Sequence, residues 1–424
     1  MERLGAGAAW DVVLYAGSSV AALAAVWTSD GPLDLRWARV AAFGYAAGAV
    51  AAWLLSRRTA RVRARAMLGV AVFAAVAVVP TIVEAGARSD TATTPVKSDV
   101  LVVEQAAAAL FEGGNPYAVV HDDGPLATWP AWAKDHFPYL AATIGAGAAR
   151  ALAGPEPWTD ARLLYLTLAV AVAVPSILWS GASPERRLRA FLVLFVLASG
   201  APLIVTSGKE VVVVGMLLAS LVALRRGHPS LSGVAAGSAA AMHQLAWVVL
   251  PFFAFMPPRS GGRRAARIGA AIAVAAVAPF LLWDAGAFTE DAVLFPLGFD
   301  QPTDGSPFTP GGLLATVLPE SRWVMVAVIV LAAGGCTAVA IRRGVWTSAD
   351  VARWAGTLLL VVMVLAPRAR LAYFVLPANL LLWSWMLRED RGPDSPMERT
   401  QAQDRIAVPS PMTNPHGTAD RLPT

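Results

Sequence analysis

Ser98-Asp99-Val100-Leu101-Val102-Val103-Glu104-Gln105-Ala106-Ala107-Ala108-Ala109-Leu110-Phe111-Glu112-Gly113-Gly114-Asn115-Pro116-Tyr117, preceded by Lys97, is a polar island in an otherwise apolar chain. Its acids and turn formers interrupt blocks of Ala, Val and Leu about 17–25 residues long, the length that crosses a bilayer as a helix. Carboxylates are rarely kept beside a bilayer without a task. The island is therefore the first place to look for chemistry, and the blocks around it read as membrane spans.

Composition agrees. Of the 424 residues, 56% are hydrophobic and only 15% charged, where a soluble domain carries roughly a quarter. The expected fold is all-α, a polytopic transmembrane helical bundle of about 12 spans, with short external juxtamembrane helices. The first apolar block is long and no small-residue cleavage pattern follows it, so it reads as a span and not as a cleaved signal. The formal net charge of +5 does not imply nucleic acid, because the arginines cluster in short loops between apolar blocks, as topology requires. The single cysteine, Cys336, lies inside an apolar block, so there is no disulfide framework or thiolate metal site. Lysine occurs only at positions 97, 134 and 209. With the load of Ala, Gly and Val, this suggests a GC-rich genome, such as an actinobacterial one.

The expected spans are 9–27, 37–56, 66–86, 138–153, 160–180, 190–206, 211–225, 231–256, 265–283, 322–341, 350–366 and 371–387. Trp10, Trp27, Trp37, Trp179, Trp283, Trp323, Trp383 and Trp385 fall near block ends, as interface anchors do. Arg57, Arg58, Arg61, Arg63 and Arg65 mark a cytoplasmic loop. The N-terminus is then cytoplasmic and the loop 87–137 external. Arg259, Arg263, Arg264 and Arg267 mark a second cytoplasmic loop, which makes 284–321 external. The tail 388–424 faces inward; rich in Pro, Asp, Arg, Ser and Thr, it is expected to be disordered. Two layouts fit the middle. In the favoured one all twelve blocks span, which leaves Arg186, Arg187, Arg189, Arg225 and Arg226 outside. In the other, 138–153 only dips into the membrane and 231–256 breaks near His243. Irregular backbone at membrane depth is tolerated where it lines a cavity.

Residues 98–112 predict a short amphipathic helix on the membrane surface, capped by Ser98 or Asp99, with Val102, Ala106 and Leu110 on one face. Gly113-Gly114 ends it and Asn115-Pro116 starts a turn. Asp99 then sits where the helix dipole favours an ionised carboxylate. Such a group beside an external cavity can accept a proton from a hydroxyl nucleophile; the plainer reading is a simple cap. Glu104 and Glu112 read as solvated charges. His121, Asp122 and Asp123 read as an exposed turn, because a metal would want more ligands at defined spacing. No metal or other cofactor is expected. His243 and Gln244 interrupt an apolar block and are functional candidates for that reason. Asp300 is a weaker second acid. Lys209 and Glu210 read as a loop ion pair, cytoplasmic in the first layout and external in the second.

The run from Ser98 to Tyr117 resembles the first external loop of bacterial polyprenol-phosphate-mannose-dependent mannosyltransferases, of the C-type glycosyltransferase superfamily. Phe137-Pro138-Tyr139-Leu140, Met242-His243-Gln244 before Leu250-Pro251-Phe252, and Pro367-Arg368-Ala369-Arg370-Leu371-Ala372-Tyr373 resemble later segments of the same family. Two positions depart from its pattern. Leu101 and Val102 stand where an aromatic is usual, and His243 where a Lys is frequent. The resemblance implies that Asp99 is the catalytic general base, acting on an acceptor hydroxyl with inversion at the sugar. It also implies substrate binding by Asn115, Tyr117, His243, Gln244, Arg368, Arg370 and Tyr373. The implied partners are a polyprenyl-phosphate sugar donor, with mannose as the sugar, a lipid or glycolipid acceptor, and the bilayer itself. The implied setting is the plasma membrane, multi-pass, with the active site outside and both termini cytoplasmic. A lipid phosphate is already a fair leaving group, so the protein needs one base and cationic help for the departing phosphate. An Arg fork suits that task.

The rival is a lipid-linked-sugar flippase or transporter. That reading calls for related repeats carrying mid-membrane charges, and the sequence offers no such repeat. Nor do the cytoplasmic loops hold a Gly-rich phosphate cradle for a nucleotide sugar.

Overall fold

In a computed structural model, the described residues are 6–29, 31–58, 61–90, 96–122, 124–299, 309–318, 322–367, 369 and 371–388. The chain divides into Met1–Leu387 and Arg388–Thr424. Beyond Arg388 the second unit lies outside the described residues, and with it the expectation of a disordered tail. The first unit is the all-α polytopic bundle expected from the sequence. Among the described residues eight helices are long and apolar enough to cross a membrane: Gly7–Thr28, Pro32–Arg57, Val62–Arg88, Ala161–Trp179, Pro184–Thr206, Gly262–Trp283, Trp323–Arg343 and Ser348–Leu365. Lys209–Arg225 is a further, almost wholly buried apolar helix, and Val375–Met386 closes the bundle.

The bundle has two chemically distinct ends. At one, Asp11 and Glu185 share Arg65 and Arg189, with Arg189 Nη1 at 2.6 Å from Asp11 and Arg65 Nη1 at 2.6 Å from Glu185. Arg225 and Arg226 cap the carbonyls of Leu387 and Trp179 at the same end. At the other, Arg36 pairs with Glu84 at 2.6 Å and Lys97 with Asp34 at 3.0 Å. Helix direction alternates between these ends. The arginines at 186, 189, 225 and 226 therefore share an end with Arg65, as only the second of the two sequence layouts allows.

The middle segments take the form that layout requires. Residues 138–153 make no single span. They form a 3-10 turn, Ala141–Ala146, and a six-residue helix, Ala148–Ala153, laid against the helix Ser98–Phe111. Block 231–256 breaks at His243, whose φ and ψ of −148° and 131° are extended. The helix Pro229–Met242 runs into the break and Val249–Phe255 leads back. Each part packs on Gly262–Trp283, the first parallel to it and the second antiparallel. Gly233 and Gly237 allow the parallel pair to touch; a Cβ at either would fall 2.7–2.8 Å from the backbone of Ala265 or Gly269. A break leaves backbone groups without helical partners, and here two breaks serve each other. The Met242 carbonyl accepts from Thr143 Oγ1 at 2.9 Å and from the Leu140 amide at 3.4 Å. Gln244 Nε2 donates to the Pro138 carbonyl at 2.9 Å and to that of Ala292 at 3.0 Å.

The island helix, Ser98–Phe111, lies inside the protein and not on a surface. Val100 to Glu104, Ala106 and Ala107 are buried. Glu104, expected in solvent, is an interior ion-pair partner: both its oxygens engage Arg88, with Nη1 to Oε1 at 2.8 Å. Arg88 also reaches Asp160, at 3.1 Å. Asp160 caps the helix Ala161–Trp179 by accepting from the Arg162 amide, and its other oxygen lies 2.8 Å from Arg162 Nη2. Burial alone would raise the Asp160 carboxyl. The Arg162 guanidinium, with Arg88 beside it, outweighs burial and holds the group down to about 2. Of the expected tryptophan belt, Trp27 and Trp323 are exposed, whereas Trp383 and Trp37 are core. The Trp37 indole donates to the Val76 carbonyl.

Two outcomes follow from this packing. Gly147 lies where a Cβ would come within 2.6 Å of the Val103 carbonyl and 2.7 Å of Glu104 Cα. Gly147→Val should destabilise the detergent-solubilised protein by about 1–3 kcal/mol, read as a lower melting temperature. Asp160→Asn should cost more, about 3–5 kcal/mol, because it strands buried guanidinium groups. The folded Asp160 value lies below the unfolded one of about 3.9. Its contribution is therefore complete above that pH and disappears as pH falls through about 2. A melting series in acid should show that loss in the wild type and not in Asp160→Asn.

Candidate functional site

A cavity of about 220 Å³ opens beside the start of the island helix, lined by Lys97, Asp99, Leu203, Thr206, Ser207, Glu210, Ala372 and Tyr373. Asp99 is the second residue of the helix. The cap position belongs to Lys97, and no side chain makes a capping hydrogen bond there. The Asp99 carboxylate lines the cavity, and two described neighbours help to hold it. The Tyr139 hydroxyl donates to Oδ1, and Lys209 Nζ lies 3.9 Å from the same oxygen. The Asp99 side chain keeps 18% of its exposure, against 5% for Lys209.

Local backbone explains why these groups meet. Tyr139 follows Pro138 in the stretch that leads into the 3-10 turn. Phe137 is anchored just before it, its amide donating to Asp291 Oδ2 at 2.8 Å, while His136 Nδ1 lies 2.7 Å from Asp291 Oδ1. Lys209 and Glu210 open the helix Lys209–Arg225 after Gly208, whose φ of +82° is left-handed. A Cβ at Gly208 would also fall 2.8 Å from Tyr165 Cβ, so both conformation and space require glycine. The turn delivers Lys209 Nζ to a point 2.9 Å from Glu210 Oε1 and 4.3 Å from the Tyr139 ring centroid. Ser207 Oγ donates to Glu210 Oε2 at 2.8 Å. A second, smaller cavity shares Glu210 and Tyr373 with the first and adds His243 and Leu245.

The residues expected from the sequence divide into those at the cavity and those that support it. Asp99 and Tyr373 line the main cavity. His243 lines the smaller one; its Nδ1 accepts from the Leu245 amide at 3.2 Å, and its ring meets Tyr373 edge-on at 5.9 Å. Asn115, Tyr117 and Gln244 do not line either cavity and hydrogen-bond to backbone groups beside them. Asn115 Oδ1 accepts from the Tyr117 amide at 3.1 Å, closing the turn after the island helix. The Tyr117 hydroxyl donates to the Tyr139 carbonyl at 2.9 Å, and its ring packs on Phe137, Phe280 and Phe288. Burial pushes its phenol well above the usual range, with the Asp291 charge adding to it. Gln244 is occupied by the two carbonyls named above. Arg368, Arg370, Asp123 and Asp300 lie outside the described residues. Asp122 forms a surface pair with Lys134 at 2.6 Å.

Three site residues carried little sequence signal. Tyr139 was visible only as part of an aromatic-proline lead into a span. Lys209 and Glu210 looked like an ordinary loop pair, and in the twelve-span layout they would lie at the end remote from Asp99. The clue was composition. The chain has only three lysines, and each pairs with an aspartate at the Asp99 end: Lys97 with Asp34, Lys134 with Asp122, Lys209 with Asp99.

Chemically, the arrangement is a partly exposed carboxylate backed by a buried cation and a phenol, at the mouth of a polar cavity in an apolar bundle. It can take a proton from a hydroxyl brought to the cavity. Among curated proteins and among solved structures, nothing matches the chain. Residues 128–367, more than half of the sequence, match the model of glycosyltransferase family 87. That stretch contains Tyr139, Lys209, Glu210 and His243 and begins after Asp99. The chain belongs to glycosyltransferase family 87.

Proposed function

We propose that this membrane glycosyltransferase moves a sugar, mannose, from a polyprenyl-phosphate carrier to a lipid or glycolipid acceptor at the outer face of the plasma membrane. The observation that carries the reading is Asp99, held at the rim of the polar cavity by Tyr139 and Lys209. The positive-inside rule supports the orientation: the end with Arg65, Arg189 and Arg225 faces the cytoplasm, so the cavity faces out. No soluble nucleotide sugar is needed there, because a lipid carrier brings the donor within the membrane.

In the proposed reaction Asp99 takes the proton of the acceptor hydroxyl. The oxygen attacks the anomeric carbon from the face opposite the phosphate. The bond from that carbon to the phosphate oxygen breaks, and the lipid phosphate leaves with the electron pair, which inverts the configuration. Cationic groups stabilise the departing charge. Lys97 lines the cavity with its side chain 38% exposed. Arg368 and Arg370 precede the cavity residues Ala372 and Tyr373 in sequence, and we assign them the same task. The lack of related repeats argues against the transporter reading.

Membranes bearing wild type or Asp99→Asn, supplied with radiolabelled polyprenyl-phosphate mannose, test this directly. The wild type should label endogenous lipid, and Asp99→Asn should lower the rate by at least about 10²-fold at equal protein level. Equal labelling by both would remove Asp99 as the base. Labelling by neither would remove this donor.

A further inference from the structure

We infer that Lys209 is a positioning residue for the base, acting through Asp99 and not on the donor phosphate. This rests on the reading of Asp99 as the proton acceptor. Two lysines lie near that carboxylate, and they differ in what they face. Lys97 opens onto the cavity. Lys209 does not line it. Its side chain is 5% exposed and enclosed by Asp99 at 3.9 Å, Glu210 at 2.9 Å and the Tyr139 ring at 4.3 Å. A lipid phosphate in the cavity meets Asp99, Glu210 and Tyr373 before it reaches this ammonium.

What Lys209 can do from behind the wall follows from charge. A cation this close to a shielded carboxylate favours its ionised form, and the ring of Tyr139 supports the cation through its π face while its hydroxyl fixes the carboxylate. Glu210 competes for the same ammonium and is itself held by Ser207. Among the described residues, the titratable groups that act on Lys209 are Asp99, Glu210, Tyr139 and Tyr373. Tyr165 and His243 also feel its charge. Asp99 and Glu210 thus share one buried cation, and the division between them contributes to how readily Asp99 stays ionised. Removing Lys209 makes Asp99 harder to ionise. Removing the charge of Glu210 leaves Lys209 to Asp99 and takes away a neighbouring anion, so Asp99 becomes easier to ionise.

The experiment is the pH dependence of mannose transfer from polyprenyl-phosphate mannose by the full-length protein, for wild type, Lys209→Met, Glu210→Gln and Asp99→Asn. Lys209→Met should move the acid limb of the profile upward by roughly 1–3 pH units, with partial recovery of rate in alkali. Glu210→Gln should move it downward. A lysine that only holds the fold would lower the rate evenly at every pH, and an acid limb unmoved in folded Lys209→Met overturns the inference. If Lys209→Met melts before assay, Glu210→Gln decides alone: a downward limb supports the shared cation, an unmoved one overturns it. Asp99→Asn separates the two levels. Full activity in that variant refutes the base itself, whereas an inactive Asp99→Asn beside an unshifted Lys209→Met refutes only the role of Lys209.

Discussion

Inside a bilayer an unpaired backbone amide or carbonyl has no water to turn to, and the architecture around the cavity depends on that constraint. Two segments that fail to continue as spanning helices, at 138–146 and at 242–248, would each be untenable alone. Their free groups meet. The Met242 carbonyl is satisfied by Thr143 and Leu140, and the Pro138 carbonyl by Gln244. Because they must lie together to be satisfied, Tyr139 is fixed beside the island helix and His243 beside the smaller cavity. Irregular backbone is what allows polar side chains to converge at this depth.

The charged groups obey the same logic. Arg88, Glu104, Asp160 and Arg162 are all nearly inaccessible. Each is tolerable because the others are present, since desolvating one charge without its partners is strongly unfavourable. This network clamps the island helix to the start of the helix Ala161–Trp179 through Glu104, one and a half turns beyond Asp99. The carboxylate that faces the cavity is therefore mounted on an element whose opposite side is pinned by ions.

Much of the fold was legible because its signal is local. Apolar length identified the helices, and the glycine pair at 113–114 ended the island helix close to its observed last residue, Phe111. What escaped was every feature set by distant partners. Glu104 reads as a solvated acid until Arg88, sixteen residues earlier, is placed against it. Asp99 reads as a cap until Tyr139 and Lys209 claim its oxygen. Counting apolar blocks could not distinguish a span from a dipping segment, because 138–153 has the hydrophobicity of a span and lacks only a continuous helical path. The arginines at 186, 189, 225 and 226 held the deciding information. Asn115, Tyr117 and Gln244 hydrogen-bond to backbone groups around the cavity, partners that the sequence pattern alone does not reveal.

The walls of the main cavity come from Lys97 and Asp99 on one side and Ala372 and Tyr373 on another, positions separated by most of the chain. The intervening wall comes from residues 203–210. A growing chain threaded into the membrane in order thus carries its carboxylate, and the ammonium behind it, for the whole synthesis of the later helices before the pocket has a final side. The ion pairs among the earlier helices are complete by residue 210, so in sequence the partners of these charged groups precede the last residues of the enclosure. In chain order, then, the partners that hold these charges all come before the residues that give the cavity its final side.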